Sequence, residues 1–297
     1  MDDNKSATSQ GRGLAGKAGE FLIGNDLEVT RLGFGTMRLT GKGIWGEPAD
    51  RAEAVRVLRR AVELGINFID TADSYGPGVS EEIIAEALHP YPAGLVIATK
   101  GGFERPGPDR WTENGRPEHL RSACEGSLRR LRLGRIDLYQ LHRIDPKVPA
   151  EDQLGVLKDL QEEGKIKHIG LSEVSVQQIQ HAKTIIPIAT VQNRYSLADR
   201  GSEDILRYCE KEKMGFIPWF PLAAGKLSGG DSPISRAAER LKATPSQVAL
   251  AWLLARSPVI LPIPGTSSVA HLEENVAAAG LRIEEKQIQE LAHAASG

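Results

Sequence analysis

A chain of 297 residues, 40% of them hydrophobic, can build a full core and is long enough for two small domains or one large one. A formal net charge of −2 gives no electrostatic reason to expect nucleic acid or an anionic membrane as a partner. The two cysteines, Cys124 and Cys209, lack metal-ligand spacing and read as free thiols of a reducing cytoplasm, and no apolar run is long enough to span a bilayer.

Taken in chain order, Met1–Gly19 is polar, rich in Gly, Ser and Lys, and has no apolar h-region, so it reads as a disordered tail. Gly24, Asn25 and Asp26 between short apolar runs predict a hairpin within Phe21–Thr30. Strand and helix patterns then alternate. Leu32–Thr36 is a short apolar strand. Asp50–Leu64 carries apolar residues at Ala54, Val55, Leu58, Ala61 and Val62, a helical period closed by Gly65. The predicted pairs continue as Phe68–Thr71 with Ser80–Leu88, Leu95–Lys100 with Pro117–Leu131, and Ile136–Leu141 with Ala150–Glu163. They go on as His168–Ser172 with Ser175–Thr184, Thr190–Gln192 with Ser202–Lys213, Phe216–Trp219 with Pro245–Ala255, and Ile260–Ile263 with Val269–Ala277. Glu284–Ala294 adds a terminal helix. Ser80, followed by Glu81 and Glu82, reads as a helix N-cap with acids in the first turn. The basic run Arg121–Arg135 is spaced as a solvated helix face. Eight such units favour an α/β fold in which a parallel sheet closes into a (β/α)₈ barrel, with the hairpin capping its bottom. Residues 20–297 would then form one domain.

In such a barrel the strand C-termini share one face, and that face carries the chemistry. Three expected strand ends there carry reactive groups. N-F-I-D-T-A-D-S-Y (Asn67–Tyr75) brings Asp70 and Tyr75, L-V-I-A-T-K ends on Lys100, and I-D-L-Y-Q-L-H ends on His142. A phenol titrates near 10 and donates a proton readily at neutral pH only if its anion is stabilised. A lysine paired with an aspartate can lower that pKa. His142 could hydrogen-bond a substrate carbonyl oxygen. The bland alternative is a buried Asp70–Lys100 ion pair and a core histidine.

The motifs L-G-F-G-T-M (Leu32–Met37), G-I-N-F-I-D-T-A-D-S-Y-G (Gly65–Gly76), R-I-D-L-Y-Q-L-H (Arg135–His142), G-K-I-K-H-I-G-L-S (Gly164–Ser172), V-Q-N-R-Y-S (Val191–Ser196) and I-P-G-T-S-S (Ile263–Ser268), with the Thr99-Lys100 strand end, occur in this order. Together they resemble the aldo-keto reductases from about Phe21 to Ala292. The resemblance implies Asp70, Tyr75, Lys100 and His142 as a catalytic tetrad, with Tyr75 as general acid. It implies NADPH, with NADH possible, lying across the barrel mouth near Gly35, Thr36, Met37 and Asp70. Ser172 and Gln192 would hold the carboxamide and Trp219 would stack on the nicotinamide. Leu222, Gly225 and Lys226 would line the pyrophosphate, and Glu274 and Asn275 the adenine. Gly265, Thr266 and Ser267 would form a phosphate site, which also follows from their place before a helix N-terminus; an ordinary N-capped turn is the alternative. Four positions depart from the family pattern. Glu173 replaces the usual asparagine and Trp219 the usual tyrosine. Gly265 and His271 stand where a lysine and an arginine often face the 2′-phosphate.

Trp45 and Trp111 lie in connections that open at the catalytic face, either as substrate walls or as anchors of their own loops. Arg143 could favour an acidic substrate or pair with Asp145. The reading is therefore a cytoplasmic NADP-dependent oxidoreductase reducing an aldehyde or ketone, without a metal, acting as a monomer or weak homo-oligomer. The alternative is a nucleotide-sensing subunit resembling the family's channel β-subunits. A metal-dependent hydrolase would need ligand clusters at several strand ends, and only His142 is suitably placed.

Overall fold

The computed structural model describes residues 13–222 and 233–294. Alternation of side chains along strands builds the protein from the inside. A hairpin of β1 (Glu20–Ile23) and β2 (Leu27–Thr30) is followed by β3 (Phe34–Gly35), β4 (Phe68–Asp70) and β5 (Val96–Gly101). A second hairpin, β6 (Phe103–Gly107) and β7 (Arg110–Glu113), precedes β8 (Ile136–Leu141), β9 (Ile166–Ser172), β10 (Thr190–Arg194) and β11 (Gly215–Trp219). Seven strands form one parallel sheet in the order β3-β4-β5-β8-β9-β10-β11.

The eighth barrel position, expected as a strand over Ile260–Ile263, is taken by an irregular segment with a single bridge, Phe216 to Ile260. It still closes the ring. Phe216 donates to the Val259 carbonyl and Leu261 to that of Phe216, while on the other side Gly33 donates to Pro262, at 2.8–2.9 Å. Pro262 and Pro264 have no N–H to give, which explains why the ladder is incomplete here. Arg31, just before β3, adds hydrogen bonds to the carbonyls of Leu254, Ser257 and Ile260. The fold is thus a (β/α)₈ barrel.

Helices α1 (Arg51–Glu63), α2 (Val79–Leu88), α3 (Pro117–Leu131), α4 (Ala150–Glu162), α5 (Val176–Lys183) and α6 (Glu203–Glu212) follow successive strands. An unexpected α7 (Pro233–Leu241) precedes α8 (Pro245–Arg256), and α9 (Val269–Ala277) and α10 (Glu285–Ala294) complete the chain. Asp50 caps α1, and Ser175 and Thr244 form capping boxes on α5 and α8. Ser80 is not a cap. Gly78, in the left-handed region, begins α2, and the buried Ser80 hydroxyl instead joins Thr36 and Thr71. Arg130 also departs from expectation: it leaves the solvated face to pair with the fully buried Glu81 of α2.

The first hairpin sends Ile23 and Val29 into a cluster with Phe68, Val96, Ala98, Leu138 and Ile217, low in the barrel. Asn67 fixes it there through Thr30 and the carbonyl of Glu28. The expected tail Met1–Gly19 falls into two parts. Residues 1–12 lie outside the described residues. Residues 15–18 form a short 3₁₀ turn, with Ala15 buried and donating to the Leu64 carbonyl, so this stretch packs rather than trails. No helix among the described residues is long and apolar enough to cross a membrane.

Candidate active site

Two residues above the apolar layer, the same alternation turns polar groups inward. Phe68 is followed by Asp70, Ala98 by Lys100 and Leu138 by Gln140, and β10 contributes Gln192. Lys100 Nζ donates to Asp70 Oδ1 at 2.5 Å and to the Thr71 carbonyl at 2.8 Å. The amides of Gln140 and Gln192 donate to Asp70 Oδ2 at 2.9 and 3.0 Å. Asp70 therefore accepts three donors, and Lys100 is 0% exposed. A charge so deeply buried persists only when paired and hydrogen-bonded.

Tyr75 sits in the turn between β4 and α2, its backbone held by hydrogen bonds to Ala72 and from Ser80. The Lys100 ammonium lies 5.3 Å from its ring centroid. Burial raises the phenol pKa, the Lys100 charge and hydrogen bond work against this, and Asp70 adds to the rise. The net direction is upward, so the lowering expected from Lys100 is real but outweighed by desolvation. Burial also disfavours the Lys100 ammonium, but Asp70 and Tyr75 reverse that and hold its pKa up. His142 is pushed well below the usual imidazole range by burial, then by Lys100, Arg143 and Arg105, so it is neutral at physiological pH. Its Nδ1 is 3.4 Å from the Ser74 hydroxyl.

Asp70, Tyr75 and His142 border a cavity of about 640 Å³, which also exposes Gly35, Thr36, Met37, Ser172, Gln192, Trp219, Leu222 and Gly265. Trp111 and Arg143 line it too, whereas Trp45 does not and its neighbour Ile44 does. Thr266, Ser267, His271, Glu274 and Asn275 lie outside this lining, and Gly225 and Lys226 fall outside the described residues. Arg143 does not pair with Asp145. It donates to the His142 carbonyl and the Ser172 hydroxyl and lies over the Phe103 ring. Asp145 instead accepts from the backbone of Gly115 and Lys147.

At the α9 end, Thr266 accepts from the Ser268 N–H, and Glu53 of α1 accepts from the Val269 N–H. Glu274 accepts from the Thr244 hydroxyl, which commits one carboxylate oxygen to α8. Gly35 and Gly265 allow two backbones to meet: a Cβ on Gly265 would lie 2.5 Å from the Gly35 carbonyl oxygen. Glu173, in the left-handed region, accepts from Trp219 Nε1 at 2.5 Å and from the Arg194 N–H at 2.6 Å. The departure at this position thus anchors the indole.

Several contributors were not singled out from sequence. Phe103, Ile44, Arg38, Glu113 and Phe220 line the cavity. Phe103 packs edge-on to His142 at 4.7 Å and to Trp111 at 5.3 Å, while Trp111 reaches Tyr75 at 6.4 Å. Aromatic residues in a connection are the only signal that could have suggested them. Outside the cavity lies a half-buried acid, Asp73. Burial first, then Glu81, pushes its carboxyl up to about 8, and its Oδ1 has no protein partner.

Residues 31–296 match the model of the aldo/keto reductase family. A pyridoxine 4-dehydrogenase of Escherichia coli is 45% identical over 277 residues, covering 91% of this chain and 96% of that protein. The structure of a glycerol dehydrogenase from Gluconobacter oxydans superposes with a TM-score of 0.84 at 29% identity, covering 92% and 94% of the two chains. An aldo/keto reductase from Klebsiella pneumoniae, solved with NADP and acetate, gives 0.78 at 28% identity, covering 94% and 96%.

Proposed function

Because this chain belongs to the aldo/keto reductase family, we propose a residue-level route for its NAD(P)H-dependent reduction of an aldehyde or ketone. The observation that carries the route is the convergence of Tyr75, His142 and Asp70 on one cavity, with Lys100 paired to Asp70 behind its wall. NADPH, when bound, supplies the hydride. The chain offers a fitting cradle, with Ser172, Gln192 and the anchored Trp219 on one side and the close backbones of Gly35 and Gly265 on the other. Thr36 and Met37 line the same mouth, and Leu222, Gly225 and Lys226 would serve the pyrophosphate. Thr266, Ser267 and His271 would face the adenosine phosphate, and Glu274 and Asn275 the adenine.

The substrate carbonyl oxygen sits between Tyr75 and His142. Neutral His142 donates a hydrogen bond and orients the carbonyl, while Tyr75 delivers its proton to the oxygen as charge develops there. Lys100 stabilises the phenolate left behind, and Asp70 holds Lys100 in place. The high phenol pKa keeps Tyr75 protonated, as a donor must be. Trp111 and Phe103 form an apolar wall suited to a flat ring, with Trp45 behind it. Arg143 presents a cation beside the carbonyl, which favours substrates with an oxygen acceptor nearby. The relative named for pyridoxine supports an aromatic substrate of this type. We also read residues 20–297 as one domain, and the enzyme as a cytoplasmic monomer or weak homo-oligomer with two buried free thiols.

A steady-state panel of aldehydes, pyridoxal among them, with NADPH or NADH tests the reading. Turnover with NADPH is expected. Tight cofactor binding with no turnover on any carbonyl would favour the nucleotide-sensing alternative.

A further inference from the structure

We propose that Arg105 is a positioning residue for the reduction, assembling the aromatic wall of the pocket and tying it to the backbone that carries Tyr75. The role in substrate selection rests on the reductase reading above. Arg105 stands on β6, five residues after Lys100, and its guanidinium is spent entirely on main-chain carbonyls. Nε donates to Arg110 at 2.9 Å. Nη1 donates to Ile44 at 2.9 Å and Ser74 at 2.7 Å. Nη2 donates to Gly43 at 2.9 Å and, more weakly, to Gly107 at 3.4 Å. The flat face of the same group lies 3.6 Å from the Trp111 ring centroid, with Trp45 at 5.7 Å.

One cation thereby joins three separate connections. The first is the 41–48 loop, whose Ile44 lines the cavity. The second is the turn containing Ser74, which immediately precedes Tyr75 and whose hydroxyl lies 3.4 Å from His142. The third is the β6–β7 hairpin that carries Phe103 and Trp111. These carbonyls belong to irregular backbone and need donors. A planar fork with five N–H groups can serve them all while stacking on an indole. Lysine has three donors in a tetrahedral array and no flat face, so it cannot do both. The location of Trp111 relative to Tyr75 and His142, with ring centroids 6.4 and 6.3 Å apart, therefore depends on Arg105.

The test compares Arg105→Lys and Arg105→Met with wild type as NADPH-bound enzyme. Amide exchange should accelerate together in 41–48 and 103–113 and stay unchanged in α4 and α5. The kcat/KM for 4-nitrobenzaldehyde, which needs the wall, should fall about 3–10-fold further than that for propanal, which does not reach it. NADPH affinity should hold in both variants. Faster exchange in only one of the two segments, a rise spread over the whole barrel, or equal losses on both aldehydes would overturn the proposal. If the wild type reduced neither aldehyde, the reductase reading would fall by itself, and the exchange data would still decide whether Arg105 ties the two segments.

Discussion

Asp70, Lys100, Gln140 and Gln192 project from four strands of one sheet, whereas Phe103, Trp111 and Ile44 project from the connections above it. The first group is held by the ladder itself: each strand's register sets the height of its polar side chain, and the groups then satisfy one another. The second group stands outside the barrel sheet, on a two-stranded hairpin and a loop joined by an arginine threaded among carbonyls. On the proposed route, the charges acting on the reacting oxygen would thus be built on the barrel sheet, and the surface selecting the substrate on its connections, which tolerate change.

That division can be broken from the strand side first. Tyr75→Phe removes the proton donor together with its hydrogen bond to Lys100, so kcat should fall by about 10²–10⁴. The NADPH dissociation constant should stay unchanged; a variant keeping more than about a tenth of wild-type turnover, against that expected range, would remove Tyr75 from the acid role. Lys100→Met should be nearly as damaging. Burial already raises the Tyr75 pKa, and Lys100 is the group that opposes it. Without Lys100 the phenol stays protonated to higher pH but donates less readily. The alkaline limb of the kcat profile should therefore move to higher pH while the plateau drops. An unaltered profile would make Lys100 purely structural. Because the change strands Asp70 in the interior, a thermal melt must accompany it, with destabilisation of about 3–5 kcal/mol expected for breaking a buried pair.

From the connection side the effects are smaller. His271→Arg should tighten NADPH by about 1–2 kcal/mol through a charge-assisted hydrogen bond and leave NADH nearly unmoved. Quenching of Trp219 fluorescence during titration reads both, and equal tightening of the two would place His271 away from the 2′-phosphate. Trp111→Ala should raise KM for an aromatic aldehyde by an amount worth about 0.5–1.5 kcal/mol, with kcat largely kept. A drop in kcat that matched the rise in KM would blur the line between charge and shape drawn above.

The same division decided what could be read in advance. Strand alternation and helical period located β4, β5, β8 and α3 to within a residue or two, because their periodicity follows from which face is buried. With the strand ends came Asp70, Lys100 and His142. The β6–β7 hairpin escaped because F-E-R-P-G-P-D-R-W-T-E has two prolines and no apolar alternation; its stabilising interactions converge on Arg105 instead. The eighth strand was expected from I-L-P-I apolarity, but prolines removed its donors. Ser80 looked like a cap because its hydroxyl's real partners, Thr36 and Thr71, are distant in sequence. The Arg130–Glu81 contact is equally long-range, so the charge run alone could not indicate it.

The meeting of Gly35 and Gly265 limits how the cofactor preference of this lineage can drift. At position 265 even the first carbon of a side chain would press on a carbonyl oxygen 2.5 Å away, and that oxygen belongs to main chain with little room to retreat. Gly265→Lys would therefore push apart the two backbones where the ring is already short of hydrogen bonds, losing closure in the attempt to gain a cation. His271 is exposed on the first turn of α9 and meets no such obstacle. On the proposed cofactor pose, adaptation toward a stronger phosphate grip would have a free path through 271 and a blocked one through 265.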